Sequence, residues 1–319
     1  MMEPPELSII VNAYNTERYI AACLQSIFAL EDAPTMEVIV IDDCSTDGTQ
    51  HVVRGFDDHR LIYLRNELNI NAAASVNIAM AKARGRYIAR IDSDDEYRPH
   101  YLKRTLPLLR EHPKVGLVYG DVAYMDEEGK LNGGTGGVAS RRQGRPAIAN
   151  ELVPLMYDNF IPAATMIARR EAWQDVLPVP DGRNFCDWYW TLNMARRWDF
   201  AFVDEILAKY RLHPGNMHKD MVRQKYGETI TFLNLEEIFA RENFGSGHQR
   251  LKSDVFAVQA VQLAGKYFGL DMMQDARRCY LNALTQKKSL LLTDPVLVRR
   301  MLATFLPGMI YHKLKQVIR

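Results

Sequence analysis

The sequence lacks paired cysteines and any marked excess of charge of one sign. Its four cysteines, Cys23, Cys44, Cys186 and Cys279, lie far apart and form no Cys-x-x-Cys pair. Unpaired thiols are typical of a reducing, cytoplasmic compartment rather than of a secreted disulfide framework. Each thiol is interpreted as a small buried apolar residue rather than as a nucleophile. The formal net charge is +1, which indicates no bias toward nucleic acid as a partner.

Long hydrophobic runs are also missing. The first residues, MMEPPELSII, show no basic stretch followed by an apolar run, so no secretory signal is expected. No uninterrupted apolar stretch reaches the length of a membrane-spanning helix. The chain has 319 residues, of which 47% are apolar and 25% charged. This composition is that of an ordinary globular protein with one large domain or two smaller ones.

Two common phosphate-binding loops are absent as well. The turn after the first predicted strand, NAYNTERY, lacks Gly-x-Gly-x-x-Gly, which argues against an NAD-binding oxidoreductase. The glycines of segment 127–147 are not followed by Gly-Lys-Ser or Gly-Lys-Thr, so this segment is not a P-loop. Its richness in Gly, Ser and Arg predicts a mobile connector or lid.

What the sequence does contain is a regular alternation of strand and helix patterns. Alternation of this kind predicts a doubly wound, mostly parallel α/β sheet. From residue 220 onward the pattern is helical. The predicted strands cover 7–11, 37–43, 61–66, 86–92, 115–124, 163–170 and 200–212, and the predicted helices 16–30, 45–56, 71–85, 100–112, 148–158 and a helix that starts near Asp187.

Polar side chains stand at the ends of three of these strands. They are Asn12 and Tyr14, then Asp42 and Asp43, and then Asp92, Asp94 and Asp95. Because such sheets bind ligands outside the carboxyl ends of their strands, these side chains are expected to converge on one edge. Crowded carboxylates repel each other and are costly to bury, so they favour either a solvated turn or a site for a hard divalent cation.

Five segments, in chain order, carry a family resemblance. They are SIIVNAYN (8–15), VIVIDDCSTDGT (38–49), ARGRYIARIDSDDEYRP (83–99), FCDWYWTLNMARRW (185–198) and YRLHPGNMH (210–218). Together they resemble the inverting family 2 glycosyltransferases of bacterial surface-polysaccharide type. The resemblance implies a GT-A, Rossmann-like α/β sheet with a C-terminal helical extension. Residues 1–218 would form the catalytic domain and 219–319 a helical region that ends in a basic amphipathic tail.

The resemblance implies roles for the residues at the predicted sheet edge. Asp94 would bind Mn²⁺ or Mg²⁺ directly, and Asp92 would reach the metal through water or bind the donor ribose. Asp43 would accept the N3–H of uracil, while Asp42 is interpreted as structural. Tyr14 would stack on the base and Asn12 would hydrogen-bond it, with turn formation and packing as the alternative.

Three further residues are expected near the metal and the diphosphate. His213 would complete the metal shell or bind the diphosphate, with Arg211 beside it, and the alternative is a structural histidine. Asp95 would either support its acidic neighbours or cap the following helix.

At the acceptor side the resemblance implies that Asp187 is the base that takes the proton of the acceptor hydroxyl. A helix cap is the alternative reading of the same residue. Trp188 and Trp190 flank it, and either would stack on a sugar unless both pack in the core. Cys186 stands where the family has Glu. This departure motivates a second hypothesis, a non-catalytic nucleotide-sugar-binding or scaffold protein.

Another departure lies in the loop NINAAASVN (69–77). Asn71 and Val76 stand where the family has Gly and Arg, so the contacts of this loop with the donor are expected to differ.

The function implied by the resemblance is the metal-assisted transfer of one sugar from a UDP-linked donor to a hydroxyl of a glycan or glycolipid. A cytoplasmic enzyme at the inner face of a membrane fits that setting. The last 33 residues carry seven Lys and Arg against one acid, Asp294. Such a tail would dock on an anionic membrane surface or pack on its own domain with solvated charges.

Overall fold

The chain divides into two units, described here one at a time. The sheet unit comprises Met1–Leu155 and Asn159–Pro214, and the helical unit comprises Met156–Asp158 and Gly215–Arg319. The structure is a computed structural model that describes residues 3–180, 183, 187–216 and 222–306. Cys186, the boundary expected at residue 218 and the end of the basic tail, 307–319, lie outside the described residues.

Ten strands form one sheet in the described part of the sheet unit. They are β1 (Leu7–Ala13), β2 (Met36–Asp42), β3 (Leu61–Arg65), β4 (Tyr87–Asp92), β5 (Glu96–Tyr97), β6 (Val115–Met125), β7 (Leu131–Thr135), β8 (Ile148–Ala149), β9 (Ile167–Arg169) and β10 (Asp199–Arg211). The order is β3-β2-β1-β4-β9-β6-β10-β5, with β7 on β6 and β8 on β10.

The direction of the strands changes in the middle of this sheet. β3, β2, β1 and β4 are parallel neighbours, as the alternating pattern predicted. β9 is antiparallel to both β4 and β6, and β10 runs parallel to β6. The sheet is therefore mixed, because a three-residue strand is inserted between two parallel groups.

Helices connect the strands and cover the sheet. Up to residue 195 they are α1 (Ile20–Phe28), α2 (Thr49–Arg54), α3 (Ala72–Lys82), α4 (Tyr101–Glu111), α5 (Val138–Arg142), α6 (Leu152–Tyr157), α7 (Arg170–Gln174) and α8 (Asp187–Ala195). In α1 the apolar residues recur at helical spacing, and Ile20, Leu24 and Ile27 are all fully buried. They join the core that also contains the apolar residues of β1, β2 and β4.

Segment 127–147, predicted to be a mobile connector, contains β7 and α5. Asp121 in β6 fixes it, because its Oδ2 accepts the N–H of Val138 at 3.1 Å. Gly136 makes this close approach possible, since a Cβ at that position would lie 2.5 Å from Oδ1 of Asp121. Arg142 is buried against Glu151, with a nitrogen-to-oxygen distance of 3.0 Å. Where the sequence predicted a mobile connector or lid, the segment thus contains secondary structure held by tertiary contacts.

The helical unit has a core of its own. Its described helices are α9 (Tyr226–Arg241), α10 (His248–Gly269), α11 (Met273–Gln286), α12 (Leu290–Thr293) and α13 (Pro295–Ala303). Tyr267 and Phe268 of α10 pack with Cys279 and Tyr280 of α11 in one apolar cluster. Among the helices that the structure describes, none has the length and apolar character needed to cross a membrane.

Candidate active site at the carboxyl edge of the sheet

The ends of β1, β2 and β4 lie together at one edge of the sheet. Asn12 in β1 is the register partner of Asp92 in β4. The N–H of Asp43 donates to the carbonyl of Ala13 at 2.9 Å, which ties the end of β2 to the end of β1. Parallel pairing thus brings together three strand ends that are up to 80 residues apart in sequence, from Asn12 to Asp92.

Asp42 and Asp43, although adjacent, point to different partners. Asp42 is fully buried, and its carboxylate accepts the N–H of Ser45 at 2.8 Å and the hydroxyl of Tyr63 at 2.5 Å. Burial raises the pKa of Tyr63, and the hydrogen bond to Asp42 raises it further. The structural interpretation of Asp42 is confirmed.

Asp43 is 3% exposed and holds the next loop through one oxygen. Its Oδ1 accepts the side-chain amide of Asn66 and the main-chain N–H of Ile70, each at 2.9 Å. Asn69 donates to the Asp43 carbonyl at 3.3 Å. Within the described chain, Oδ2 of Asp43 takes part in no hydrogen bond. One carboxylate oxygen at the sheet edge therefore remains available as an acceptor.

The loop that Asp43 holds contains Asn71, which occupies the family's glycine position. Asn71 has φ 76° and ψ 161°, a backbone conformation that side chains other than Gly rarely adopt. Its Oδ1 accepts the N–H groups of Ala73 and Ala74 at 3.1 and 3.2 Å and caps α3. The departure from Gly is thus accommodated by a helix cap. Val76, at the family's arginine position, is fully buried.

After β4 come the crowded acids, and each has a different partner. Asp92 forms an ion pair with Arg90, a residue that no sequence motif singled out. Oδ2 of Asp94 lies 2.9 Å from Nε2 of His213, and the two side chains are 19% and 13% exposed. The ring of Tyr19 lies 5.0 Å from the ring of His213. The segment is therefore not a freely solvated turn.

Asp95 is 1% exposed and supports the acidic turn from within. Its Oδ1 accepts the main-chain N–H of Arg211 at 2.9 Å. It does not cap the following helix, since the residue before α4 is His100. Of the two predicted roles of Asp95, helix capping is wrong, and support of its acidic neighbours stays a prediction with which this contact agrees.

Arg211, expected beside His213 in a diphosphate-binding or supporting role, makes its contacts within the protein. The guanidinium is 4% exposed and donates to four oxygens of the acidic turn and a neighbouring loop. These are the carbonyls of Asp94 (2.8 Å), Asp126 (3.2 Å) and Glu127 (3.0 Å) and the carboxylate of Glu96 (2.7 Å). Arg211 fixes the backbone that carries Asp94, and its guanidinium carbon lies 5.0 Å from the centre of the Tyr19 ring.

The carboxylates create a strong negative potential at this edge. Burial raises the pKa of Asp95 well above its usual range, and Asp94 and Asp92 raise it further. Burial also raises the pKa of Asp92, and Asp94 and Asp187 act in the same direction. The pKa of Tyr210 is raised by burial and then by all four of these carboxylates. Four negative groups thus act on one small region, which favours a cation there.

The described residues contain no group of three His, Cys, Asp or Glu side chains placed to hold a metal ion. Asp94 and His213 form a pair of possible metal ligands, with 2.9 Å between Oδ2 and Nε2. Magnesium sites in phosphate-transfer enzymes commonly use one or two carboxylates and complete the shell with water and substrate phosphates. The donor set therefore fits a divalent cation that is shared between the protein and a diphosphate.

Asp187 begins α8, where the helix dipole favours a carboxylate. Its Oδ2 accepts the side-chain amide of Asn159 at 3.2 Å. The carbonyl of Asn159 in turn accepts Nη2 of Arg141 at 2.8 Å. Sequence reasoning missed Asn159 because its contact depends on how two segments 28 residues apart are packed.

The two tryptophans beside Asp187 are both in the core. Trp188 is 7% exposed and donates its indole N–H to the carbonyl of Leu155 at 2.8 Å. Trp190 is fully buried and packs edge-on against Trp173, with ring centroids 5.0 Å apart. The prediction that either ring stacks on a sugar is therefore wrong, and the alternative, that both pack in the core, is confirmed. Tyr14, by contrast, is 49% exposed.

Comparison with curated proteins identifies relatives of this chain. The model of glycosyl transferase family 2 matches residues 8–176. An uncharacterized glycosyltransferase of Haemophilus influenzae is 27% identical over 272 residues, which are 82% of this chain and 80% of that protein. TuaG of Bacillus subtilis, named as a teichuronic acid biosynthesis glycosyltransferase, is 36% identical over 109 residues. That match covers 34% of this chain and 43% of TuaG, so it spans less than half of that relative.

Solved structures share the fold. TarS 1–349 of S. aureus superposes with a TM-score of 0.65 at 18% identity, and the match covers 98% of this chain and 92% of that 1–349 chain. The mannosyltransferase PcManGT of Pyrobaculum calidifontis, in complex with GDP-Man and Mn²⁺, gives 0.61 at 17% identity, over 99% and 86% of the two chains. These likenesses confirm the predicted GT-A, Rossmann-like α/β fold with a C-terminal helical region. Because the family model covers more than half of the sequence, the chain belongs to glycosyl transferase family 2.

Proposed function

We propose that the protein is an inverting, metal-assisted glycosyltransferase that moves one sugar from a UDP-linked donor to a hydroxyl of a glycan or glycolipid. The observation that carries the proposal is the meeting of the β1, β2 and β4 ends at one sheet edge, where Oδ2 of Asp94 lies 2.9 Å from Nε2 of His213. Family membership supports sugar transfer as the reaction class.

The nucleotide would bind beside the ends of β1 and β2. Oδ2 of Asp43 is an acceptor without a partner in the described chain, and it suits the N3–H of uracil. Oδ1 of Asn12 is buried and likewise lacks a hydrogen-bond partner among the described residues. The exposed ring of Tyr14 would stack on the base. A structure of TarS bound to UDP-GlcNAc supports a uridine donor on this fold.

Asp94 and His213 would hold Mn²⁺ or Mg²⁺, and Asp92 would reach it through water or bind the ribose. When bound, the cation supplies positive charge that stabilises the departing diphosphate. Arg211 and Asp95 hold the backbone of Asp94 and so keep the turn in place.

Asp187 would act as the general base. Its carboxylate takes the proton of the acceptor hydroxyl while the hydroxyl oxygen bonds to the anomeric carbon. The bond from that carbon to the diphosphate oxygen breaks, and the electron pair leaves with the diphosphate. Since attack and departure occur on opposite faces, the configuration is inverted. Asn159 holds Oδ2 of Asp187, which leaves Oδ1 to accept the proton.

The setting that we propose is the cytoplasmic side of bacterial surface-polysaccharide synthesis. Its support is the resemblance to TuaG, whose name assigns it to teichuronic acid biosynthesis. EpsE of Bacillus subtilis, also named as a glycosyltransferase, is 34% identical over 132 residues, which are 40% of this chain and 47% of EpsE.

The test is calorimetric titration of UDP, with and without Mn²⁺, into the wild type and two variants. Asp43→Asn is expected to weaken UDP binding at least tenfold under both conditions, because the acceptor of the base is altered. Asp94→Asn should abolish only the increment that Mn²⁺ adds. Asp58→Asn is the matched control, since Asp58 precedes β3 at its amino-terminal end and pairs with Arg60.

Two results would count against the proposal. Equal UDP affinity in the wild type and in Asp43→Asn would remove Asp43 from the base site. If the wild type binds GDP more tightly than UDP, the donor is GDP-linked rather than UDP-linked. Asp187→Asn, which should bind UDP normally, is expected to lose transfer to any acceptor that the wild type uses.

A further inference from the structure

The helical unit exposes large apolar side chains on α12, α13 and the turn that follows. Leu292 is 90% exposed, Leu302 59%, Phe305 55%, Leu291 48% and Val296 45%. We call these five side chains the α12–α13 apolar patch. Single exposed leucines are normal on protein surfaces, whereas contiguous groups mark places where another surface binds.

The patch is continuous between the two helices. A depression of about 440 Å³ separates them, and leucines of both helices line it. Its lining residues are Leu291, Leu292, Pro295, Val298, Arg299 and Leu302. An acyl chain or a partner side chain would therefore meet one apolar surface rather than isolated residues.

Packing on its own domain accounts for only one face of α13. Leu297 and Ala303 point inward and are buried in the core of the helical unit. Val296 and Leu302 lie on the other side of the same helix and remain exposed. A surface helix that needed only its own core would carry polar residues there.

The segment that carries the patch is rich in basic residues, of which Lys287 pairs with Asp254 at 3.0 Å. Residues 287–306 contain four cations and one acid, a net charge of +3. The acid, Asp294, caps α13 by accepting the N–H of Leu297 at 2.8 Å. Lys288 and Arg299 are exposed, and neither forms an ion pair within the described residues. An apolar surface with unpaired cations at its rim is complementary to a layer of anionic groups that covers an apolar interior.

We propose that the α12–α13 apolar patch docks on the surface of a lipid bilayer with anionic headgroups. Leu292 and its neighbours would enter the boundary between headgroups and acyl chains, and Lys288 and Arg299 would contact headgroup phosphates. The nine residues of α13 extend about 13 Å, which suits lying on a bilayer and is too short to cross it. The inference goes beyond the proposed reaction and does not depend on it, since lipid binding requires no sugar.

A second copy of the chain is the competing occupant, and charge disfavours it. A two-fold contact places the same patch on both copies. Both copies would then bring Lys288 and Arg299 to the same contact, and like charges gathered there oppose association.

The experiment is flotation of the full chain with vesicles of phosphatidylcholine, with or without phosphatidylglycerol. The patch variant, Leu292→Ser with Leu302→Ser, is expected to partition at least tenfold more weakly into the anionic vesicles. The control variant, Leu233→Ser with Leu281→Ser, removes two leucines that are 50% and 47% exposed elsewhere in the same unit. It should bind like the wild type. Far-UV circular dichroism of each variant checks that the helices are retained.

A charge variant separates the electrostatic contribution. Lys288→Gln with Arg299→Gln is expected to lose about fivefold in partition per charge on anionic vesicles and little on neutral ones. Equal binding of the wild type to both vesicle types would overturn the proposal. The proposal would also be overturned if the patch variant bound the vesicles as well as the wild type does. The same holds if the patch variant kept its binding and the variant Lys313→Gln with Lys315→Gln lost it. If the wild type is a dimer in light scattering and does not bind vesicles, and the patch variant is a monomer, then the patch binds a second copy of the chain.

Discussion

Arg211→Lys is the substitution that best separates a structural from a ligand-binding role at the candidate site. It keeps one positive charge, but it removes the planar fork that reaches four oxygens from a 4% exposed position. A lysine ammonium cannot span three carbonyls and a carboxylate at once. The carboxylate of Glu96, whose side chain is 14% exposed, also keeps Lys209 as a partner at 2.7 Å, which moderates the loss.

The expected magnitude follows from these contacts. Complete loss of one partner of a buried ion pair costs about 3–5 kcal/mol, and lysine retains the charge. Each carbonyl that loses its hydrogen bond costs about 1–3 kcal/mol, and these contributions are not additive. We therefore expect the free energy of unfolding to fall by about 3 kcal/mol. For a unit of this size the melting temperature should fall by roughly 6–12 °C.

Tryptophan fluorescence is the assay, because all four tryptophans, Trp173, Trp188, Trp190 and Trp198, belong to the sheet unit. The unfolding signal thus reports on that unit alone. Arg110→Lys is the matched control: its side chain is 46% exposed and pairs with Glu6 at 2.8 Å. A surface pair of this kind should change stability by less than about 0.5 kcal/mol.

The opposite result would refute the reasoning. If Arg211→Lys unfolds at the wild-type temperature but binds UDP more than tenfold more weakly, the guanidinium contacts the diphosphate. The structural role assigned to Arg211 would then be withdrawn, and the rigid acidic turn would need another explanation.

Three further predictions concern other parts of the chain. Asn159→Ala should lower kcat about tenfold and leave UDP affinity unchanged, because only the orientation of Asp187 is lost; a fall in UDP affinity instead would argue against this role. The hydrogen bonds from Arg278 lower the pKa of Glu228 in the folded protein. The stability that they contribute is therefore fully present above the pKa that Glu228 has in the unfolded chain, and it is lost as the pH falls through the lower pKa of the folded state. Glu228→Gln should thus cost about 1 kcal/mol at pH 7 and less in acid, measured by circular dichroism at both pH values. Gly85→Ala should lower stability by more than about 3 kcal/mol in urea unfolding, because its Cβ would lie 2.6 Å from a main-chain carbonyl carbon of β1. If Gly85→Ala unfolded at the same urea concentration as the wild type, the close packing of Gly85 against β1 would be contradicted.

Local patterns predicted the half of the sheet that carries the site. β1 and β2 are apolar runs whose residues are nearly all buried, and such runs alternating with helices permit few topologies. The polar ends of those strands then had to meet at one edge. The structural role of Asp42 was also predictable, since it adjoins a buried strand end.

Contacts between distant segments could not be derived in this way. The mixed sheet beyond β4 depends on a three-residue strand whose pattern carries almost no directional information. The glycine-rich segment is ordered by Asp121 and Glu151, two residues outside any motif. Whether a tryptophan beside a site faces a ligand or the core depends on the neighbouring helix, so Trp188 and Trp190 were open until packing placed them inside.

By itself the sequence determined which residue types end the strands and that these ends converge, because strand pattern and connection length act locally. Only the tertiary structure decided which oxygen or nitrogen each side chain meets. Asp94 and His213 are 119 residues apart, and Arg211 is 115 residues from Glu96. Such pairs require the assembled sheet, and their partners are selected by burial and by the cost of leaving a buried polar group unpaired.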